Sequence, residues 1–438
     1  MLLVRRKSAV AVVSGLTVTA LVLTGCGGAD APPSADNPLE LTVTTFGTFG
    51  YDDLYAEYEA ANPHITINAT NVDSSGNART DVYTKLAAGS GLSDVVAIEE
   101  GWLGSIMDVS DSFVDLNDHG AADIADNWVD WKFEQGTDAE GRVIGYGTDI
   151  GPQGLCYNGA LLEEAGMDSD REAVAEMLGG DGATWEQYFD AGREYHEATG
   201  KPWYDQSSFI WNSMVNQMEE GYYTADGELN VEDNAALREN FMLLAAATGD
   251  GLSADQEAHD WGNGQAFVDG SFATLVCPGW MLGKVREQLE SAGGGPESGW
   301  DFADVFPGGA ANWGGAFLAV PQTSEHQEEA AALAAWLTHP DQQITVSETV
   351  GNFPSTIEAQ EYVAEQATPN EMLNDAPTGT ILASRAEGVV AQFKGPDDSV
   401  IQENVFRPAL QLLDDETATA DEAWDEAMRL FDELIDEN

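Results

Sequence analysis

Tryptophans and carboxylates stand close together in several short, glycine-bearing stretches of this sequence. Glu100 and Trp102 lie in Glu99-Glu100-Gly101-Trp102, directly behind the apolar run Asp94 to Ile98. Trp280 closes Cys277-Pro278-Gly279-Trp280, Trp313 is set in Asn312-Trp313-Gly314-Gly315, and Asp149 precedes Ile150-Gly151-Pro152. An indole face is an apolar plate, and a carboxylate accepts short, charge-assisted hydrogen bonds. In a concave pocket the two together suit a ligand with apolar C–H faces and a rim of hydroxyls. Asn312 and Asn352 both donate and accept, the latter in the turn Gly351-Asn352-Phe353-Pro354-Ser355. Tyr51 with Phe46 flanks an early loop, and Trp211 with Asn212, and Trp261, complete the candidates.

Catalytic chemistry is the rival for the same residues. A glycoside hydrolase needs two carboxylates flanking the scissile bond, and nothing selects one pair from 77 acidic residues. The chain has no G-x-S-x-G or H-E-x-x-H motif, and His64, His119, His196, His259, His326 and His339 are scattered without ligand spacing. No calcium loop of the D-x-[DN]-x-[DN]-G type is present. No metal and no cofactor is expected.

The elements that must carry these loops follow an α/β pattern. Glu40 to Phe46 reads as a strand, Tyr51 to Ala61 as a helix stopped at Asn62-Pro63, and His64 to Asn68 as a second strand. A helix over Arg79 to Ala88 ends at Gly89, and Asp94 to Ile98 has the apolar character of a buried parallel strand. Strand, helix, strand, helix, strand makes an α/β sheet, whose ligands gather beyond the carboxyl ends of the strands. Further on, Thr184-Trp185-Glu186-Gln187 is a capping box, and Ser324 with Gln327 repeats the device ahead of an alanine-rich helix. Trp424, Met428, Phe431 and Ile435 form the apolar stripe of a C-terminal helix.

Arg5, Arg6 and Lys7 lead an apolar stretch from Ala9 to Leu23, too short to span a bilayer and built like a secretory signal peptide over residues 1–25. Leu23-Thr24-Gly25-Cys26 resembles the lipobox of bacterial lipoproteins, which implies lipidation of Cys26 and a protein anchored outside the cell by acyl chains. Residues 26–38 then hold the lipidated cysteine and a Gly/Pro/Ala-rich tether. The chain left after residue 25, roughly 410 residues, is long enough for two lobes. With 77 Asp and Glu against 17 Lys and Arg, the chain carries −60 and lacks the basic footprint of a nucleic-acid binder. The acids are spread along the chain, as on a solvated surface. Cys156 and Cys277 are either bridged, which an oxidising compartment permits and which would stabilise by about 4–5 kcal/mol through loop closure, or separately buried thiols.

Asp138-Ala139-Glu140-Gly141-Arg142-Val143-Ile144-Gly145-Tyr146-Gly147-Thr148-Asp149, continuing as IGPQGLCYNGALLEEAGM, resembles the central signature of the extracellular solute-binding proteins (family 1) that serve carbohydrate ABC importers. The blocks DVVAIEEGW, TWEQYFDAGREY, GQAFVDGSFATLVCPGWM, NWGGAFLAVP and EEAAALAAWLTHPDQQ agree in order, covering about Leu39 to Ser355. The resemblance implies an α/β, two-lobe, periplasmic-binding-protein-like fold with three hinge crossings and an interlobe cleft. Crossings are expected near Thr148 to Pro152, Cys277 to Trp280 and Gly315 to Pro321, with lobe 1 from 39–148 plus 280–318 and lobe 2 from 149–279 plus 319–438. It further implies a monomeric, lipid-anchored receptor on the outer face of the bacterial cytoplasmic membrane. Such a receptor binds a di- or oligosaccharide and delivers it to the transmembrane subunits of an ABC permease. Glu100, Trp102 and Trp313 are then assigned to the first lobe, Trp211 and Asn352 to the second, and Asp149 and Trp280 to the joins. A binding protein for a peptide, polyamine or iron is the alternative, and a secreted hydrolase the third reading.

Overall fold

The computed structural model describes residues 38–256, 261–366, 368–390 and 392–437. The expected signal segment 1–25, Cys26, all but the last residue of the expected tether, and His259 lie outside the described residues.

The first body is built on a five-stranded sheet. Strands β1 (Leu39–Phe46) and β2 (Ile65–Val72) run parallel in register from Leu39 opposite Ile65 to Phe46 opposite Val72. β3 (Val95–Glu99) pairs parallel with β1 on the other side. The helices Asp52–Ala61 and Ser75–Ala88 connect these strands. The second starts four residues before the expected Arg79, because Ser74 caps it by accepting from the Asn77 backbone. β4 (Gly145–Gly147) is fed by a tight turn in which Asp138 accepts from the Glu140 and Arg142 backbone N–H groups and from the Arg142 guanidinium. This turn explains much of the signature segment structurally.

After β4 the chain passes through β5 (Asp149–Ile150) into a second sheet, where β6 (Gln153–Asn158) lies between β7 (Thr274–Pro278) and β8 (Trp300–Ala303). It returns to the first sheet at β9 (Ala316–Ala319), antiparallel to β3 and β4, and leaves again through β10 (Phe353–Pro354), which pairs with β5. The passages between sheets are therefore 148–152, 304–315 and 351–352. The expected crossings at Cys277 to Trp280 and Gly315 to Pro321 need correcting. The former runs from the end of β7 to the start of helix Met281–Ser291, whose Leu282, Val285 and Leu289 pack into the second core; the latter contains β9 itself. By strand pairing and core packing, 280–303 belongs with the second sheet and 319–350 with the first, opposite to the expected division.

Cys156 and Cys277 are bonded, their Cα atoms 5.7 Å apart across the β6–β7 pair. The capping box at Thr184 is complete. That at Ser324 is not formed: the Ser324 hydroxyl donates to Asp94, which also accepts from the Thr42 hydroxyl and backbone N–H, and the helix Gln327–Leu337 begins after His326 without a side-chain cap. Trp424 and Phe431 of the C-terminal stripe are buried, Met428 is partly buried, and Ile435 at its end is exposed.

Candidate functional site

Between the two bodies lies a cavity of about 890 Å³, lined by the first sheet's strand ends, by helices and loops of the second body and by the passages that join them. One wall is aromatic. Trp280, leading helix Met281–Ser291, meets Trp313 edge to face at 5.6 Å, and its indole N–H donates to the Trp313 carbonyl at 2.7 Å. Trp313 in turn meets Phe209 at 5.1 Å. Phe209 comes from helix Ser207–Asn216, and both tryptophans are only partly buried.

The facing wall is acidic. β3 ends in a short turn, Glu100–Trp102, that delivers Glu100 into the cavity. One Glu100 oxygen accepts from Gln135 at 3.2 Å and the other from the Gly314 backbone N–H at 3.2 Å, while the Glu100 N–H donates to Gly315. Asp149 accepts from the Thr148 hydroxyl at 2.5 Å and the Ala316 N–H at 3.0 Å. Burial pushes the Asp149 carboxyl above the usual range, although the Lys132 ammonium opposes this. Glu99 is pushed up to about 7 by its depth in the cleft and then by the neighbouring Glu100 charge. From the second body Asp398 reaches the same space, raised by burial against the pull of Lys394. Lys394 donates to Asn216 at 2.6 Å and Gln392 at 2.8 Å. The segment Asp398–Ile401 packs on Glu100–Trp102, so the bodies touch at this edge.

Glu100, Trp102, Asp149, Trp280, Trp313 and Asn352 all line the cavity, as do Phe46 and Asn212. Trp102 does so with little surface: it is 2% exposed and its N–H donates to Ser75. Asn352 ties the last passage to the first loop by donating to the Thr48 carbonyl. Trp280 belongs to the second body, not to a join.

Four candidates are elsewhere. Tyr51 is buried behind the wall, edge-on to Phe49 and Tyr55, with its hydroxyl pushed well above the ordinary tyrosine value by burial. Asn312 is used up in holding its loop, accepting from Gly151 and donating to Gly314. Trp211 is 0% exposed in the second core, against Phe241 and Phe406, with its N–H given to Tyr222. Trp261 is also fully buried and donates to Asp205. For Trp211 and Trp261 the cause is the same: a large apolar ring on an element's inner face gains more from core packing than from a wet cleft.

The cleft residues that sequence reasoning missed include Phe209, Asn216, Lys394 and Asp398. Phe209, Asn212 and Asn216 share one helical face, at spacings of three and four. That periodicity was the available signal, and it points away from Trp211. Lys394 and Asp398 sit in a Gly-Pro loop whose text carries no comparable pattern.

The buried acids make stability depend on pH in a defined direction. Burial pushes Asp205 up to about 7 and Asp414 up to about 6. Between the ordinary carboxylate range and those values the folded chain holds protons that the unfolded chain has released, so stability falls as pH rises through that window. The melting temperature is expected to be several degrees higher at pH 5.5 than at pH 8. Asp205→Asn should flatten the dependence, and an unaltered slope in that variant would contradict the assignment.

Two α/β bodies joined by three adjacent passages, with a lined cavity between them, define a hinged binding protein. The sequence profile of the bacterial extracellular solute-binding proteins matches residues 53–374, and the chain belongs to that family. A crystal structure of an extracellular solute-binding protein of family 1 is 42% identical, covering 90% of this chain and 99% of that one, with a TM-score of 0.80. The arabinooligosaccharide-binding protein of Bacillus subtilis (strain 168) is 26% identical over 340 residues, 72% of each chain. The binding protein from B. animalis subsp. lactis Bl-04, solved with beta-1,6-galactobiose, shares the fold at 21% identity and a TM-score of 0.75, covering 92% and 98% of the two chains. Among the described residues, no group of three or more His, Cys, Asp or Glu is placed to hold a metal ion, and no helix is long and apolar enough to cross a membrane.

Proposed function

We propose that the chain is a receptor for a di- or oligosaccharide, held outside the cell by lipid on Cys26, which closes around its ligand and hands it to the transmembrane subunits of an ABC importer. The observation that carries this reading is the pairing, across one cavity, of the Phe209, Trp280 and Trp313 plates with the carboxylates Glu100, Asp149 and Asp398. Aromatic plates cover the C–H faces of a pyranose or furanose ring, and carboxylates accept from its hydroxyls. The arabinooligosaccharide-binding relative supports the sugar over a peptide, polyamine or iron ligand.

Closure needs a ligand that binds the closed form better than the open one. Contacts on both bodies supply that difference: Glu100 and Trp102 on the first, Trp280, Phe209 and Asp398 on the second, Asp149, Trp313 and Asn352 on the passages. The protein acts as a monomer and leaves its ligand chemically unchanged.

A thermal-shift panel of arabinotriose, lactose, beta-1,6-galactobiose and maltotriose tests the reading, with a tripeptide, spermidine and ferric citrate as controls. A ligand present at about 100 times its Kd stabilises by roughly 2.7 kcal/mol, a readily measured shift. A shift with a sugar and unaltered sugar after incubation is the expected result. A shift with a control alone, or release of monosaccharide, would overturn it.

A further inference from the structure

Beneath the cavity floor lies a cation that the proposed ligand contacts do not use. Lys132, on the short helix Asp130–Gln135, is 0% exposed. Its Nζ has no hydrogen-bond partner and lies 3.8 Å from the centre of the Phe317 ring. A buried ammonium without compensation is costly enough that a core would ordinarily exclude it.

The fold makes room for it at two glycines. A Cβ on Gly147 would come within 2.8 Å of Lys132 Cγ, and one on Gly315 within 3.0 Å of Nζ, where φ is also +99°. These positions are the end of β4 and the last residue before β9, so the lysine threads between the strands that enter and leave the first sheet. The charges that act on its tip are Asp149 from the first passage and then Glu100 and Glu99 from the end of β3, none of them in ion-pair contact with it. Tyr51 faces Asp149, and Asp398 faces Glu100 from the second body. Gln135, one turn further along the same helix, donates to Glu100.

We propose that Lys132 is a positioning residue for the ligand site: it is the internal counter-charge that lets Asp149 present an ionised, hydrogen-bond-accepting carboxylate to the cleft although that side chain is largely buried. Burial pushes Lys132 down to about 8, and Asp149 is the strongest influence opposing that fall. Lys132 is likewise the strongest influence opposing the rise of Asp149. Each charge thus supports the other. The inference rests on the receptor reading only for what the carboxylate accepts from; the counter-charge itself is testable without ligand.

Lys132→Met keeps the stem and removes the charge. Without it the Asp149 carboxyl should stay protonated in the folded chain to higher pH, so the folded chain holds a proton that the unfolded chain releases. The melting-temperature gap between wild type and K132M should then widen by about 3 °C or more from pH 5 to pH 7. A gap equal at both values means a packing role alone and overturns the proposal. The double variant K132M/D149N, which removes both charges, should be at least as stable at pH 7 as K132M. If K132M does not fold, the double variant should; strictly additive losses, or failure of both to fold, count against the proposal.

The binding arm uses whichever panel sugar wild type binds. K132M should bind it about tenfold more weakly than wild type at pH 6, with the ratio closing toward pH 8 as Asp149 ionises. A ratio that does not change with pH overturns the positioning role. If no panel sugar binds wild type, the receptor reading fails while the two melting comparisons still decide the counter-charge.

Discussion

Alanine at Trp313 is expected to weaken binding of the panel's best sugar by about 30- to 1000-fold, because truncating an aromatic anchor in a desolvated pocket costs about 2–4 kcal/mol. The ring lies between Phe209 and Trp280, perpendicular to the latter, and its carbonyl anchors the Trp280 N–H. Trp280→Ala should have a comparable effect, since it removes one plate and loosens the other. Both rings are only partly buried against the second core, so the unliganded melting temperature should fall by a few degrees at most. Trp313→Phe keeps a flat apolar face and should retain most of the affinity. Calorimetric titration with parallel melts checks this. Affinity within twofold of wild type would remove Trp313 from the ligand surface, and a collapse of bare stability would return it to the core.

The opposite outcome is expected at Trp211. This ring is completely enclosed among Phe241, Phe406 and Tyr222, and its N–H is satisfied by the Tyr222 hydroxyl. Replacing it by alanine leaves a cavity and removes one bond to the Tyr222 hydroxyl, which keeps its bond to Gln402, at a cost of about 3–5 kcal/mol. The loss should appear in the unfolding transition of the second body, with affinity in the folded fraction changed by less than about tenfold. Urea unfolding together with titration distinguishes the two variants. Intact stability with lost affinity would place Trp211 in the cleft after all.

What was legible in the sequence follows from how local each signal is. The early β1 to β3 pattern was readable because periodicity and helix stops reside in neighbouring residues, as at Asn62-Pro63 and Gly89. The return passage was not. Trp300–Ala303 and Ala316–Ala319 are both four-residue, fully buried strands, and nothing inside either says that one pairs with β6 and the other with β3. Strand partnership across more than a hundred residues is a tertiary property. Ser324 shows the same competition on a small scale: the hydroxyl that would cap a helix is taken by Asp94, a half-buried carboxylate that β1 also requires. On the glycine-rich loops, Trp280 and Trp313 pack only partly against the second core and turn their remaining surface to the cavity. Residue type misled on the helix carrying Trp211, where face decides and the smaller Phe209 points into the cleft.

The bond between Cys156 and Cys277 joins β6 to β7, two strands of one sheet, and crosses none of the three passages. Redox state and hinge motion are therefore mechanically independent. Chain made in a reducing cytosol would carry a second body that unfolds more readily, yet its two halves would swing over the same arc. Any oxidant dependence of uptake would report on how much intact receptor survives, and not on how the receptor opens.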